Sequence, residues 1–251
     1  MSIQACADIV AKADPDRFQA AMAAPVEARR VLFPIYAFNA EVARAPWVTD
    51  EPMIAEMRLQ WWRDALEEVA DERPVRKHEV TTTLSEVLDT SAAKILDRLI
   101  QSRRWDIYKD PFEDDAHFHE YLDQTGGGLM WVSARLLGAP ENSEASFRSI
   151  GAANALARFL QAIPELEAKG RVPLVDGRPE TVRNLATSAL EQNARAMREL
   201  KRLDKTARGA VLEAWQALPV LRQVAQNPNR VSEGRLGLSP IRKRFRLLRW
   251  A

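Results

Sequence analysis

With one cysteine, Cys6, in 251 residues, the chain cannot form an intrachain disulfide or a cysteine metal cluster, the usage a reducing compartment allows. As a nucleophile Cys6 is poorly placed, since no histidine stands near it in sequence. Net charge is nearly missing too. The 36 basic residues against 35 acidic ones leave a formal +1, so no global field selects a nucleic acid or an acidic polymer. No apolar run approaches the ~18 residues of a membrane span, and Met1-Ser2-Ile3-Gln4-Ala5 shows no basic region leading into an apolar one. Glycine is scarce at ten, while Ala, Leu, Glu and Arg are plentiful. These residues lose little rotamer freedom in a helix, so the expectation is an all-α chain with little or no sheet.

What the sequence does contain is helical periodicity. Leu32, Ile35, Tyr36 and Val42 fall at helical spacing within residues 26–45, and Ile54, Met57, Trp61 and Ala65 do so in the next segment, with Pro46 and Pro52 between them. Asp64, Glu67, Glu68 and Asp71 then read as the solvated face opposite Met57, Trp61 and Ala65 rather than as metal ligands. Shorter helices are expected over 80–88 and 92–108. Asp110-Pro111-Phe112-Glu113-Asp114 reads as the start of a helix reaching about residue 137, and Gly138-Ala139-Pro140 as its stop. Inside that segment lies Gly126-Gly127-Gly128, which costs up to ~1 kcal/mol per glycine relative to alanine, so something must approach that backbone closely. Further helices fit 143–163, 180–203 and 205–225, with residues 164–179 as a connection. His117 and His119, two apart on a helix, point to different faces and read as surface or packing residues. One domain over 1–234 and a basic tail over 235–251 follow.

Four pieces in order, Tyr36-Ala37-Phe38, Met57 to Leu66 (MRLQWWRDAL), Tyr121-Leu122-Asp123-Gln124-Thr125-Gly126-Gly127 and Gly170-Arg171-Val172-Pro173-Leu174, resemble the squalene/phytoene synthase family. The resemblance covers roughly residues 15 to 180 and implies an isoprenoid synthase fold, helices around a deep apolar cavity. Active members condense two prenyl diphosphates, holding Mg²⁺ on aspartates spaced i, i+4 along two facing helices, where the metal neutralises the departing diphosphate. In this frame the acidic positions of the first motif fall on Ala43, Arg44 and Trp47. Those of the second fall on Ala162 and Leu166, with Arg158 and Gln161 beside them and Glu165 as the acidic remnant.

The departures are similar to those of the family's noncatalytic complex I assembly factor branch, matched at Tyr36, Asn39, Glu41, Arg58, Gln60, Trp62 and 63–66. The stretch 1–13 lacks arginine and does not read as a mitochondrial presequence, so the resemblance is to a bacterial relative, cytoplasmic or peripheral to the inner membrane. It implies no metal cofactor, an isoprenoid or lipid ligand, and a subunit of a membrane respiratory complex as partner. The alternative is an active prenyltransferase with an unconventional, Mg²⁺-dependent site.

Candidate cavity and ligand residues are Tyr36, Phe38, Glu41, Arg44, Arg58, Trp62, Asp106, Gly126, Gly127, Arg158, Glu165 and Arg171. Arg44 and Arg158 have two readings. They grip a diphosphate directly, or they pair with Glu41 and Glu165 and plug the site. Asp106 is expected to pair with Arg58 or Arg171. In the tail, Arg242, Lys243, Arg244, Arg246 and Arg249 alternate with Phe245, Leu248 and Trp250. The tail either lies on an anionic membrane or acidic partner, or packs Phe245 and Leu248 onto the body. Nucleic acid is not an expected partner, because no second basic element accompanies the tail.

Overall fold

Segments that each carry one apolar stripe can bury it only against one another, and the fold follows from that requirement. The computed structural model describes residues 2–250, apart from the side chain of Arg244, so the expectation for that arginine lies outside the described residues. Among the described residues there are twelve α-helices and no strand. In chain order they are α1 (Ile3–Ala13), α2 (Pro15–Ala23), α3 (Arg29–Arg44), α4 (Pro52–Ala70), α5 (Thr81–Ser85), α6 (Thr90–Ser102), α7 (Asp115–Leu122), α8 (Gly128–Leu136), α9 (Glu144–Ala168), α10 (Pro179–Leu200), α11 (Ala217–Gln226) and α12 (Pro240–Trp250). Short 3₁₀ segments, among them Ala45–Trp47, Arg103–Asp106 and Ala207–Ala214, link several of them. The core is aromatic-rich, with Trp131, Trp215, Tyr36, Phe38, Phe118 and Phe147 fully buried.

Local chemistry sets the helix starts. Asp14, Asp89 and Asp114 each accept a hydrogen bond from a backbone N–H in the first turn that follows, capping α2, α6 and α7, and Pro15 supplies the preset φ at the first position of α2. The expected 110–137 helix is therefore two helices, α7 and α8, joined by a π turn over Asp123–Gly127. The glycines explain that turn. A Cβ on Gly126 would sit 2.4 Å from the Gly151 carbonyl oxygen, and one on Gly151 2.3 Å from the Gly126 oxygen, so the turn and α9 meet backbone to backbone.

Three expectations change. The segment expected over 143–163 continues through Pro164 to Ala168 as α9, because a proline four residues from the end removes a single ladder hydrogen bond. The buried stripe of α4 is Ala55, Leu59, Trp62, Ala65 and Leu66, while Met57 is 66% exposed and Trp61 half-buried against Trp62, His78 and the Arg76 guanidinium. Residues 205–225 split into a 3₁₀ stretch and α11. No helix among the described residues is long and apolar enough to cross a membrane.

Candidate functional site

Helices α3 and α9 bring the two depleted motifs face to face. Asn39, Ala43, Arg44 and Trp47 from the first, with Arg158, Ala162, Glu165 and Leu166 from the second, line one cavity of about 580 Å³. Asp14, Arg17, Arg103 and Asp106 line it too, with Tyr121 from α7 and Thr125 and Gly126 from the π turn. A π turn inserts an extra residue into a helical turn and is frequently found at functional sites.

The inner end holds a buried ionic network. Arg17 Nε donates to Glu213 Oε2 at 2.7 Å, and its Nη1 lies 3.5 Å from Asp14 Oδ2. Asp14 in turn accepts from Arg158 Nη1 at 2.6 Å, and the Arg17 guanidinium lies over the Tyr36 ring. Burial pushes the Tyr36 hydroxyl far above its ordinary pKa, with the Glu213 charge adding to the effect. At Asp14 burial works to raise the carboxyl, but the charges of Arg17 and Arg158 and their hydrogen bonds outweigh it and hold it at about 2. Because that folded pKa lies below the ordinary one, the stabilisation is present above about pH 4 and is lost as pH falls toward 2. Asp14→Asn is therefore expected to remove about 2 kcal/mol of the stability change between pH 4 and pH 2, read from urea unfolding at stepped pH. An unchanged acid limb would show that the Asp14 charge is not coupled to folding.

Arg158 thus pairs with Asp14 rather than with Glu165, which pairs with Lys169 at 2.8 Å. Arg44 does pair with Glu41, at 3.1 Å. The carboxylate of Asp106, a residue 4% exposed, takes neither expected partner, although Arg171 reaches the backbone carbonyl of the same residue. It accepts from Arg103 Nη1 at 3.1 Å and from the Tyr121 hydroxyl at 3.0 Å, and Arg103 also donates to that hydroxyl at 2.8 Å. Arg171 donates to the backbone carbonyls of Trp105, Asp106 and Tyr108 and lies over the rings of Trp47 and Trp105, and it does not line the cavity. Arg58 is exposed on α4 and does not line the cavity. Phe38 is fully buried edge-on to Trp62 at 5.5 Å, and neither side chain lines the cavity; Tyr36 and Gly127 lie behind its wall as well.

Sequence reading missed Asp14, Arg17, Arg103, Tyr121, Asn154 and Glu213. Asp14-Pro15 carried a legible cap signature, whereas nothing local joins Arg17 to Glu213, which are 196 residues apart. Asn39, 5% exposed, lines the cavity with an Oδ1 that no donor of the described protein reaches.

Each cation of the cavity has a carboxylate of its own chain: Arg17 has Glu213 and Asp14, Arg158 has Asp14, Arg103 has Asp106, Arg44 has Glu41, and Lys169 has Glu165. Magnesium needs several oxygen ligands in near-octahedral array. Ala43, Arg44, Trp47, Ala162 and Leu166 supply none, the remaining carboxylates are held in ion pairs, and no group of three or more His, Cys, Asp or Glu among the described residues is placed for a metal. The donor set does not fit the ion. Trp47, which lines the cavity, lies under Lys169 and Arg171.

A model of the squalene/phytoene synthase family matches residues 10–175. The chain is 28% identical over 177 residues to the "NADH dehydrogenase (ubiquinone) complex I, assembly factor 6 homolog" of Drosophila melanogaster, covering 68% of this chain and 53% of that protein. It is 23% identical over 180 residues to assembly factor 6 of Mus musculus, covering 66% and 51%. The chain therefore spans about half the length of these curated relatives. Among solved structures it is similar to a dehydrosqualene synthase in complex with ligand, with TM-score 0.78 and 15% identity over 98% of this chain and 94% of that one. Squalene synthase HpnC from Alicyclobacillus acidocaldarius superposes with TM-score 0.69 and 15% identity over 94% and 95%. At that identity the likeness shows the fold, the all-α isoprenoid synthase architecture.

Proposed function

The chain belongs to the squalene/phytoene synthase family, and from that premise we propose that it is a noncatalytic member, an assembly-type factor for respiratory complex I that keeps the cavity for binding. The observation that carries this reading is the replacement of a metal site by ion pairs: Arg44 on α3 and Arg158 on α9 stand in the two depleted motifs, and each is neutralised by a carboxylate of the chain, Glu41 and Asp14. Ionising an allylic diphosphate calls for a cation complex on the leaving group, and each cation of this cavity is already matched to a carboxylate. The relatives named as complex I assembly factors support the assembly role. Its partner in this reading is a subunit of a membrane respiratory complex, met at the cytoplasmic face of the inner membrane.

The cavity's ligand in this reading is an isoprenoid or related lipid without a strongly charged head. A diphosphate would compete with the carboxylates that Arg44 and Arg158 already hold, whereas a neutral polar head needs only a hydrogen bond such as one to Asn39. The volume, about 580 Å³, lies within the range of small-molecule sites. Purified protein incubated with labelled farnesyl or geranylgeranyl diphosphate is expected to yield no new lipid with or without Mg²⁺ or Mn²⁺. A metal-dependent product overturns the noncatalytic reading. Deleting the gene in its own organism is expected to lower assembled complex I; an unchanged amount and activity overturns the assembly role.

A further inference from the structure

Helix α12 is docked with its apolar stripe turned to water. At 100° per residue, Ile241, Phe245 and Leu248 share one face, and they are 70%, 70% and 79% exposed. The opposite face holds the helix to the body. Lys243 Nζ bonds Asp16 at 2.7 Å, Arg246 Nε donates to the Trp215 carbonyl at 3.0 Å, and Leu247 and Trp250 pack against the core. The expectation that Phe245 and Leu248 pack onto the body is thereby corrected. An isolated exposed leucine is ordinary, but three large apolar side chains in register along an 11-residue helix form a stripe about 10 Å long from Ile241 to Leu248.

Charge says what covers it. Five of the chain's 36 Lys and Arg fall in this helix and none of its 35 Asp and Glu, so the rest of the molecule is net acidic. Arg242 and Arg249 are exposed beside the stripe. At the end of the helix, Arg249 and Trp250 wall a recess of about 300 Å³ that also carries Lys201, Lys205 and Arg208 around apolar Met197 and Leu200. A basic recess next to an exposed apolar stripe matches the chemistry of a bilayer interface, anionic headgroups above acyl chains.

We infer that the α12 face is a docking surface for anionic lipid bilayers, with Ile241, Phe245 and Leu248 entering the acyl boundary and Arg242, Arg249 and the Lys201, Lys205 and Arg208 recess meeting headgroup phosphates. The inference rests on α12 and its neighbours, not on the cavity, and stands whether or not the chain is catalytic.

The test is cosedimentation of the full chain with vesicles of phosphatidylcholine alone and of phosphatidylcholine with phosphatidylglycerol. The expected result is binding to the anionic vesicles that weakens as salt rises, with little binding to the neutral ones. Ile241→Ser with Phe245→Ser and Leu248→Ser should weaken that binding at least about tenfold, through loss of buried apolar area. Arg242→Gln with Arg249→Gln should weaken it on anionic vesicles alone. All five side chains are exposed, so circular dichroism and the melting temperature should stay at wild-type values and report the fold separately. No binding to either vesicle, or equal binding to both, overturns the inference. So does a concentration-dependent dimer that the serine variant abolishes, since the stripe would then be covered by a second copy of the chain.

Discussion

Glu213→Ala is expected to cost about 3 kcal/mol or more of folding stability, the loss typical when one partner of a buried ion pair is removed. Glu213 is 2% exposed and Arg17 is 7% exposed, so truncation leaves a guanidinium out of water with only Asp14, already shared with Arg158, to balance it. Desolvation weighs against the charged form of Arg17, and the Glu213 charge is the larger of the two carboxylate effects that hold the guanidinium protonated. The converse change is also informative. Replacing both partners, Arg17→Met with Glu213→Leu, should recover most of the loss, because two apolar side chains need no counter-charge. Urea midpoints of the wild type, the single variant and the double variant measure both effects. A loss below about 1 kcal/mol in Glu213→Ala would mean that water reaches the pair and that the inner end of the cavity is wet.

Gly126→Val is expected to cost about 3 kcal/mol and to open the cavity wall. The new Cβ would lie 2.4 Å from the Gly151 carbonyl oxygen and 2.6 Å from the Ala155 Cβ, and the oxygen is backbone, which cannot rotate aside as a long side chain does. The π turn and α9 must separate, and Thr125, Asn154 and Ala155 line the cavity at that contact. Gly177→Ala serves as the control. A Cβ there meets nothing within 4 Å, so the change should stay within about 0.5 kcal/mol of wild type. Chemical unfolding of the two variants side by side checks the pair, and equal stabilities would sink the close-contact account.

The two effects differ in how far they could be read in advance. The triple glycine announced a close approach by its cost in a helix, although the partner that approaches, Gly151 on α9, appears only when the helices are packed. Nothing announced Glu213. A glutamate in an apolar stretch near the C-terminal end of the chain has no local mark that distinguishes a buried ion-pair partner from a solvated residue. Pro164 misled for a related reason: its local rule says to end a helix, and the surrounding packing of α9 keeps the helix going through it. On α4 the same ambiguity moved the stripe by one position, because Trp61 and Trp62 are both apolar and only the neighbouring helices decide which one is buried.

That the two motifs face one another was what the family resemblance implied. Residue identity and short-range period were enough to establish that the chain is helical and that alanine, arginine, tryptophan and leucine stand where the family's carboxylates would bind metal. Those properties depend on which side chain occupies a position and on spacings of three and four, both of which are written in the chain. Tertiary structure decided which carboxylate neutralises each arginine of the cavity, which residues line it, and that α12 turns Ile241, Phe245 and Leu248 outward. Arg158 and Asp14 are 144 residues apart, and Lys243 and Asp16 are 227 apart. Burial and electrostatic pairing act through space, so they settle such choices only after the helices have packed.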